Sequence, residues 1–334
     1  MLFRSGTLMH YVMENFFRNH KDDDFSLIEK SVVEAEVFAL LDEYIEKHLG
    51  GKENKDKRFL YLVYRIRKTA TDLVMRIVAE LSQSSFRPAD FELSIGEEIP
   101  AYTVTLKDGE QIRIRGSVDR VDTYEKDGVE YIRVIDYKTG KKEFRLSDIL
   151  YGLNLQMLIY LSAIHSNGKE KYGENLSPAG VLYMPAVSPG VSDSDAKDEE
   201  GLIKKLLSKY TMHGIVLEDK EVLSAMEKDL KGSFIPVSLK GDELTGGESL
   251  ASVEQMGALF KKIDTLICDM AQSLYDGEID ALPSKGSSVD ACQWCPYLSV
   301  CTHRESDSVR EIIKKDKDTV YEELSREEES HGLD

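Results

Sequence analysis

Two side chains in the middle of the sequence have the types and spacing of a hydrolytic centre. In the stretch YIRVIDYKTG, Asp136 and Lys138 are two positions apart and therefore share one face of a strand, whereas Tyr137 points to the other face. The residues two and four positions before Asp136 are apolar. An acid and a lysine on an apolar face are costly unless they pair with each other or bind a metal.

A second carboxylate lies on the preceding strand. In QIRIRGSVDRV, Asp119 has the parity of Arg113 and Arg115, and a short turn between the two strands places Asp119 beside Asp136. Paired carboxylates repel each other, and a divalent cation relieves that repulsion. Such a cation polarises a phosphate while Lys138 orients water or stabilises developing charge, which is the minimal apparatus for phosphodiester hydrolysis. The alternative is an ordinary ion pair at a strand end, because Asp-x-Lys is a common sequence.

Three more residues are candidates for the same centre. In LNLQMLIYL, Gln156 and Tyr160 are four residues apart and share a helical face. A glutamine in such an apolar stretch needs a buried polar partner, such as the lysine, a carboxylate or a phosphate. His10 lies in the apolar helix GTLMHYVMENF. Each has a structural alternative, since polar helix positions beside core tyrosines and satisfied core histidines are both common.

Three of the four cysteines are crowded near the C-terminus. Cys292, Cys295 and Cys301 form a C-x2-C-x5-C array in CQWCPYLSVC, and thiolates at this spacing wrap one soft metal centre. Together with His303 they are also suited to zinc. Cys268, in DTLICDMAQSLY, is expected on the buried face of a helix.

Composition limits the classes of function. The 334 residues contain 41% hydrophobic and 31% charged residues, as globular proteins do, with neither a membrane-length apolar run nor a secretion signal. We therefore expect a cytoplasmic protein without a membrane partner. The net charge of −18 argues against a general electrostatic grip on nucleic acid but permits a local basic groove. Candidates for that groove are Arg58, Arg65, Lys68, Arg113, Arg115, Arg120, Lys141 and Lys142.

Periodicity and turn residues predict the elements that position these side chains. Helices are expected at 6–20, 30–48, 58–84, 146–165 and 252–276. Strands are expected at 90–96, 101–107, 110–122, 129–137 and 179–186. The predicted order begins with helices, continues with antiparallel strands and a helix, and then reaches a parallel-type strand. This order indicates an α/β core with helical insertions rather than a doubly wound fold.

The combination of motifs resembles a known family. His10, Asp119, Asp136-Tyr137-Lys138 and Gln156-x-x-x-Tyr160, in this order, resemble the RecB-type branch of the PD-(D/E)xK nucleases, and more closely the nuclease domains of AddB (RexB) type in bacterial helicase-nucleases. The similar stretches run through nearly the whole chain. They are GTLMHYVMENFF, RGSVDRVD, VIDYKTGKKEF, LQMLIYL, AGVLYMPA, YTMHGIVLEDKEVLSAM and ACQWCPYLSVC.

The resemblance implies a fold and a role for each matching residue. The fold is an α/β (α+β) restriction-endonuclease-like core, with a mixed central sheet flanked by helices and helical insertions. The implied Mg²⁺ ligands are His10, Asp119, Asp136 and the backbone carbonyl of Tyr137. Lys138 is the implied catalytic lysine, and Gln156 and Tyr160 contact the site or the DNA backbone. Among the basic residues of the sequence, our candidates for DNA contacts are Arg65, Arg113, Arg115 and Arg120. Asp122 is a rival for Asp119, but its parity places it on the opposite face.

The resemblance also implies cofactors and partners. In AddB-type domains the three crowded cysteines help to ligate a [4Fe–4S] cluster, whose fourth ligand lies upstream of the first helix. Here no cysteine precedes His10, so either a fourth ligand is lost, Cys268 replaces it, or zinc is bound instead. The chain has no GxxxxGK[ST] sequence and is expected to receive DNA from an AddA-like helicase.

We predict a nuclease domain over 1–304 and an acidic helical tail over 305–334, where 11 Asp and Glu face 5 Lys and Arg. Within the domain we expect a helical part at 6–84, a core at about 88–186, an insertion at about 187–250 and a cysteine-rich segment at 290–304. The function implied is a Mg²⁺-dependent DNA exonuclease that processes double-strand breaks in recombinational repair. Alternatives are a stand-alone iron–sulfur exonuclease of CRISPR-adaptation type and a catalytically silent DNA-binding or assembly module.

Overall fold

The computed structural model describes residues 5–53, 55–138, 140, 144–186, 201, 205, 207–287, 289–304 and 306–331. Three helices come first: α1 (Ser5–Asn19), α2 (Lys30–Leu49) and α3 (Lys57–Gln83). Gly50 ends α2 in the left-handed conformation, and the side chain of Asp56 caps α3 by accepting a hydrogen bond from the Phe59 N–H. These helices lie where the sequence predicts them.

A mixed sheet of six strands forms the centre of the described fold. Its order is β1-β4-β5-β6-β7-β10, with β5 parallel to β6, β7 parallel to β10 and the other neighbours antiparallel. The strands are β1 (Arg87–Ile95), β4 (Gly116–Lys126), β5 (Val129–Lys138), β6 (Leu176–Pro185), β7 (His213–Leu217) and β10 (Leu250–Ala251). The predicted α/β core with a mixed sheet is confirmed.

The remaining elements flank this sheet or extend from it. They are β2 (Tyr102–Thr105), β3 (Gln111–Ile114), α4 (Gln156–Asn167), α5 (Lys169–Tyr172), α6 (Lys220–Met226), β8 (Ser238–Lys240), β9 (Glu243–Thr245), α7 (Val253–Tyr275), β11 (Ser284–Gly286), β12 (Val289–Asp290), β13 (Arg310–Ile312) and α8 (Lys317–His331). One apolar core packs α1, α2 and α3 on one face of the sheet, and a second packs α4, α7 and α8 on the other. Each sheet face is therefore covered by helices.

The turn between β4 and β5 forms as predicted. Asp127 and Gly128 both have positive φ, 52° and 77°, as the two central residues of a type I′ hairpin require. This turn fixes a register in which Arg120 pairs with Ile135 and Val121 with Val134. Asp119 and Asp136 are the next residues along the two strands.

Two predicted elements are divided in the structure. The strand predicted at 110–122 is β3, which pairs with β2 in a separate hairpin, followed by β4 in the central sheet. The helix predicted at 146–165 is a 3-10 turn, Leu146–Tyr151, followed by α4, because Gly152 adopts the left-handed conformation between them. Arg113 therefore belongs to another sheet than Asp119.

Two predicted boundaries also need correction. The segment at 187–250, expected as an insertion, supplies β7 and one residue of β10 to the central sheet, so the core extends beyond 88–186. The acidic helical tail predicted at 305–334 packs partly on the domain, because Val320 and Leu324 of α8 are buried in the second core. Apolar residues at a spacing of four give α8 one face that packs and leave its charge on the other.

Candidate active site

Three side chains from three elements converge at one edge of the described fold. His10 comes from α1, Glu92 from β1 and Asp119 from β4, and one potential ligand atom of each lies within 4.8 Å of the other two. Nδ1 of His10 is 3.4 Å from Oδ1 of Asp119 and 3.5 Å from Oε1 of Glu92. We call these three residues the ligand group. Two carboxylates and an imidazole are a donor set that divalent cations accept.

Glu92 is the member of the ligand group that sequence reasoning missed. It has a φ of 51°, a conformation that non-glycine residues adopt rarely and chiefly where the surrounding structure imposes it. Its neighbours Phe91 and Leu93 pack into different cores, so the strand twists at this point. The Ser117 hydroxyl donates to Glu92 Oε2 at 2.9 Å. In the sequence Glu92 is only a polar position in an alternating strand, and nothing there indicates the twist.

Asp119 stands where the ladder between β4 and β5 ends. The last backbone pair is Arg120 with Ile135, and beyond it Oδ2 of Asp119 accepts the Tyr137 N–H at 2.7 Å. A side chain thus replaces a strand carbonyl as the partner of this N–H. That hydrogen bond leaves Oδ1 directed at His10.

His10 occupies a strongly negative position. Nε2 lies 3.2 Å from the carbonyl oxygen of Tyr137. The Asp119 and Glu92 carboxylates beside Nδ1 raise the pKa of His10 to about 10, because each stabilises the imidazolium. In turn, His10 lowers the pKa of Glu92. The imidazolium of His10 therefore offsets the repulsion between the two carboxylates, as a cation bound by the three side chains would also do.

Asp136 and Lys138 form an ion pair beside the ligand group. Nζ of Lys138 is 2.6 Å from Oδ2 of Asp136, whose side chain is 6% exposed while that of Lys138 is 27% exposed. Tyr137, between them, donates its N–H to Asp119 and presents its carbonyl oxygen to His10. Within the described residues, the close group of potential ligands comprises His10, Glu92 and Asp119 but not Asp136.

Gln156 and Tyr160 lie on the first turns of α4. Nε2 of Gln156 donates to the Tyr160 hydroxyl at 3.3 Å, and Gln156 is exposed, contrary to the expectation of a buried polar partner. The ring of Tyr160 rests on Gly116 at the start of β4, where an added Cβ would lie 2.6 Å from Cε1. The tyrosine thereby reaches the strand that carries Asp119, three residues from it.

The opposite face of the same strands carries a second group of charges. The buried charge group consists of Glu80 from α3, Arg120 and Asp122 from β4 and Arg133 from β5, all with fully buried side chains. Arg120 also donates to the Tyr137 hydroxyl at 3.2 Å. The prediction that Arg120 contacts DNA is therefore wrong, because its guanidinium is enclosed and paired with carboxylates.

The other candidate DNA contacts differ in position. Arg65 is exposed on α3, Arg113 on β3 and Arg115 in the connection before β4. Lys141 and Lys142 lie outside the described residues.

The cysteine array lies in turns between β12 and β13. Cys292 and Cys295 are half-buried and Cys301 is exposed, and the Cys295 N–H donates to the Cys292 carbonyl at 3.2 Å. The three thiols do not form a close ligand group in the part of the chain that is described. Cys268 is half-buried on α7, where burial raises the pKa of its thiol. His303 Nε2 lies 3.2 Å from the Ser308 carbonyl oxygen.

Comparison with known proteins decides the family. A sequence model of the PD-(D/E)XK nuclease superfamily matches residues 2–302. The chain belongs to this superfamily. The Asp136-x-Lys138 sequence at the end of β5 has the spacing of the (D/E)XK part of the superfamily's name.

Curated proteins from three bacteria are similar to nearly the whole chain. A subunit of the ATP-dependent helicase/deoxyribonuclease of Clostridium acetobutylicum is 30% identical over 336 residues, 98% of this chain. The proteins of the same name from Acetivibrio thermocellus and Caldanaerobacter subterraneus subsp. tengcongensis are 30% and 32% identical, each over 97% of this chain. The chain spans about 29% of the length of each of these relatives.

Proposed function

We propose that this chain is a Mg²⁺-dependent DNA exonuclease domain that works in a helicase-nuclease processing double-strand breaks for recombinational repair. The observation that carries the proposal is the junction at Tyr137. Its carbonyl oxygen faces His10, its N–H is bound by Asp119, and its two neighbours are the Asp136–Lys138 pair. The names of the relatives, which describe part of a helicase/deoxyribonuclease, support DNA as the substrate.

The residues of the centre divide into those that hold a cation and those that act on the phosphate. His10, Glu92, Asp119, Asp136 and the Tyr137 carbonyl supply oxygen and nitrogen donors, a set that fits Mg²⁺ and also Mn²⁺. When bound, the cation supplies Lewis-acid polarisation of the scissile phosphate. Lys138, partly exposed beside Asp136, is placed to orient the attacking water and to stabilise negative charge on the phosphate oxygens.

Gln156 and Tyr160 are proposed to contact the DNA backbone at the edge of the centre. Gln156 is exposed, and its amide already contacts the Tyr160 hydroxyl, so the two groups form one polar surface at the start of α4. Hydrogen bonds of this kind position a nucleic acid strand without reading its sequence.

The proposal includes a partner and a location. The absence of a GxxxxGK[ST] sequence in the 334 residues suggests that another polypeptide segment or subunit, such as an AddA-like helicase, drives DNA into the centre. No helix among the described residues is long and apolar enough to span a membrane. A complex that repairs chromosomal DNA in bacteria acts in the cytoplasm, where we place this chain.

We further propose that Cys292, Cys295 and Cys301 serve a stabilising metal centre, either a [4Fe–4S] cluster or zinc. Three thiols in ten residues supply the soft donors that both centres need, but a fourth ligand is not identified. Iron, sulfide and zinc analysis of the purified protein distinguishes the two. A protein that contains none of the three contradicts both assignments.

The nuclease assignment is tested by Asp136→Ala and Lys138→Ala. We expect each substitution to reduce Mg²⁺-dependent degradation of linear DNA by at least about a hundredfold, because each removes a group that stabilises the transition state. The matched controls are Asp242→Ala and Lys240→Ala, which remove an exposed acid from the turn between β8 and β9 and an exposed lysine from the end of β8. The assay is run with this chain alone and with the helicase partner. Degradation by Lys138→Ala at the rate of the Lys240→Ala control contradicts the proposal.

A further inference from the structure

The first half of α3 has an unusual balance of charge for this protein. Residues 57–71, KRFLYLVYRIRKTAT, contain five cations and no Asp or Glu, whereas the whole chain has a net charge of −18. The cations are Lys57, Arg58, Arg65, Arg67 and Lys68. This segment is locally positive in an acidic chain, and the contacts of each cation show whether its charge is neutralised.

The structure separates one of these cations from the other four. Arg67 turns toward α2, where it pairs with Asp42 and stacks on the Phe38 ring at 4.9 Å. No ion pair involving Lys57, Arg58, Arg65 or Lys68 is found among the described residues. Arg58, Arg65 and Lys68 are all exposed. These four side chains therefore present positive charge to solvent.

Two tyrosines lie among the exposed cations. Tyr61 and Tyr64 are 60% and 66% exposed, although tyrosine rings of a helix in an apolar core are ordinarily buried. Lys57, Tyr61, Tyr64 and Lys68 are spaced by four, three and four residues, which places them along one side of the helix. We call Lys57, Arg58, Tyr61, Tyr64, Arg65 and Lys68 the α3 face. Asp72, one turn beyond Lys68, is its first acidic neighbour along the helix.

The α3 face lies at the same end of the helical layer as the ligand group. Tyr11, next to His10, packs against the Tyr44 ring at 5.1 Å and the His48 ring at 6.3 Å, near the end of α2. The helices α2 and α3 are antiparallel, because Arg67 pairs with Asp42 while residues 49 and 55 meet through a hydrogen bond. The last turns of α2 are therefore level with the first turns of α3.

We propose that the α3 face binds single-stranded DNA and guides it to the metal centre, an inference that rests on the proposed nuclease function. Exposed aromatic rings bind unpaired bases by stacking, while the cations between them contact the phosphates. In a duplex the base faces are covered by neighbouring bases and are closed to a tyrosine side chain. The α3 face combines exposed cations with exposed tyrosine rings. It is therefore better suited to bind single-stranded DNA than a DNA duplex or an acidic protein surface.

The test measures binding of a fluorescein-labelled oligothymidine of about 20 nucleotides by anisotropy in EDTA, where hydrolysis does not occur. One double variant is Arg65→Glu with Lys68→Glu. Its control is Lys228→Glu with Lys240→Glu, which changes the net charge equally at exposed lysines elsewhere. We expect the α3 variant to lower the slope of log affinity against log salt by about 0.7 for each phosphate that the protein no longer neutralises. The control should retain the slope of the unmodified protein.

A second variant, Tyr61→Ala with Tyr64→Ala, separates stacking from charge. We expect it to weaken oligothymidine binding about tenfold and to leave the salt slope unchanged, because stacking releases no counterions. Both rings are mostly exposed, so the variant is expected to fold. The inference is overturned if the charge variant binds like its control, as it would if the α3 face contacts an acidic protein instead. It is also overturned if the tyrosine variant binds normally or if a hairpin duplex binds equally well.

These outcomes are independent of the nuclease assignment. Normal oligothymidine binding by both α3 variants, combined with loss of hydrolysis in Lys138→Ala, refutes only the role of the α3 face. Loss of binding in the α3 variants, combined with unchanged hydrolysis in Lys138→Ala, refutes only the nuclease assignment.

Discussion

Two groups of charged side chains lie on opposite faces of β4 and β5, and they differ in balance and in exposure. The buried charge group contains two cations and two anions, all with no exposed side-chain surface. Around the ligand group, three carboxylates accompany one lysine and one histidine. Those carboxylates are Glu92, Asp119 and Asp136, and Glu92 remains 33% exposed.

The difference shows how one pair of strands provides both a scaffold and a reactive centre. Buried charges are tolerated when they neutralise each other, and here Glu80 and Asp122 accept hydrogen bonds from both arginines. An excess of carboxylates at a partly exposed site instead creates affinity for protons and cations, which the raised pKa of His10 reports. Tyr137 joins the two groups, because its hydroxyl contacts Arg120 and its carbonyl faces His10.

The largest loss of stability is expected when one member of the buried charge group is removed. Arg133→Met leaves Glu80 and Asp122 with an uncompensated buried charge, and removal of one partner of such a pair costs about 3–5 kcal/mol of unfolding free energy. Urea denaturation measures the loss, with Arg113→Met on the exposed β3 as a control that should stay within about 0.5 kcal/mol. Arg133→Lys keeps the charge but loses the fork of donors and should fall between the two. A loss equal to that of the control would show that the group is not a structural unit.

A divalent cation bound at the ligand group should stabilise the folded protein. Mg²⁺ or Mn²⁺ at about a hundred times its dissociation constant should raise the free energy of unfolding by about 2.7 kcal/mol, because it binds only the folded site. Glu92→Gln should remove most of this gain, whereas Glu97→Gln, an exposed acid on the same segment, should retain it. Denaturation with and without the cation gives both values. An unmodified protein that gains no stability from either cation would refute a metal site at the ligand group.

Sequence reasoning predicted what depends on local pattern. The Asp127–Gly128 turn, the strand period and the helix spacing correctly predicted β5, the hairpin turn that precedes it and the first three helices. Asp122 lies on the face opposite the ligand group, as its parity indicates. These features follow from neighbours along the chain.

Other features depend on contacts between distant segments and were not accessible in this way. Glu92 enters the ligand group only because β1 twists at a positive φ opposite Asp119. Arg120 and Arg115 were both predicted to contact DNA, yet Glu80, forty residues before Arg120 in the chain, accepts a hydrogen bond from the buried Arg120 guanidinium. The packing of Tyr160 on Gly116 likewise joins two elements that no local period connects.

The contact between Tyr160 and Gly116 joins α4 to the start of β4, the strand that carries Asp119 of the ligand group. Gly116→Ala adds a Cβ that would lie 2.6 Å from Cε1 of Tyr160, so the ring must move, at a cost of about 1–3 kcal/mol. In a Tyr160→Ala background the same substitution should cost almost nothing, since the clashing ring is gone. Urea denaturation of the four proteins gives this coupling. Equal costs in both backgrounds would mean that the ring does not constrain the start of β4.

The smallest effect concerns a second histidine near α1. His20 also lies between two carboxylates, but each nitrogen has its own partner: Nδ1 is 2.6 Å from Asp23 and Nε2 is 2.6 Å from Glu36. At His10, by contrast, two carboxylates share Nδ1 and a carbonyl oxygen faces Nε2. Each ring nitrogen of His20 thus has one carboxylate partner, whereas at His10 two carboxylates compete for one ring nitrogen.

The contribution of His20 to stability should therefore depend on pH. Burial lowers the pKa of His20, but the hydrogen bonds to Glu36 and Asp23 outweigh it and raise the pKa overall. The protonated ring therefore stabilises the fold fully below its unfolded pKa of about 6.5, and that contribution is lost as the pH rises through the higher folded pKa. His20→Gln should cost up to about 1 kcal/mol at pH 6 and less at pH 9. The difference should shrink in a Glu36→Gln background, and a cost that grows with pH would contradict the imidazolium assignment.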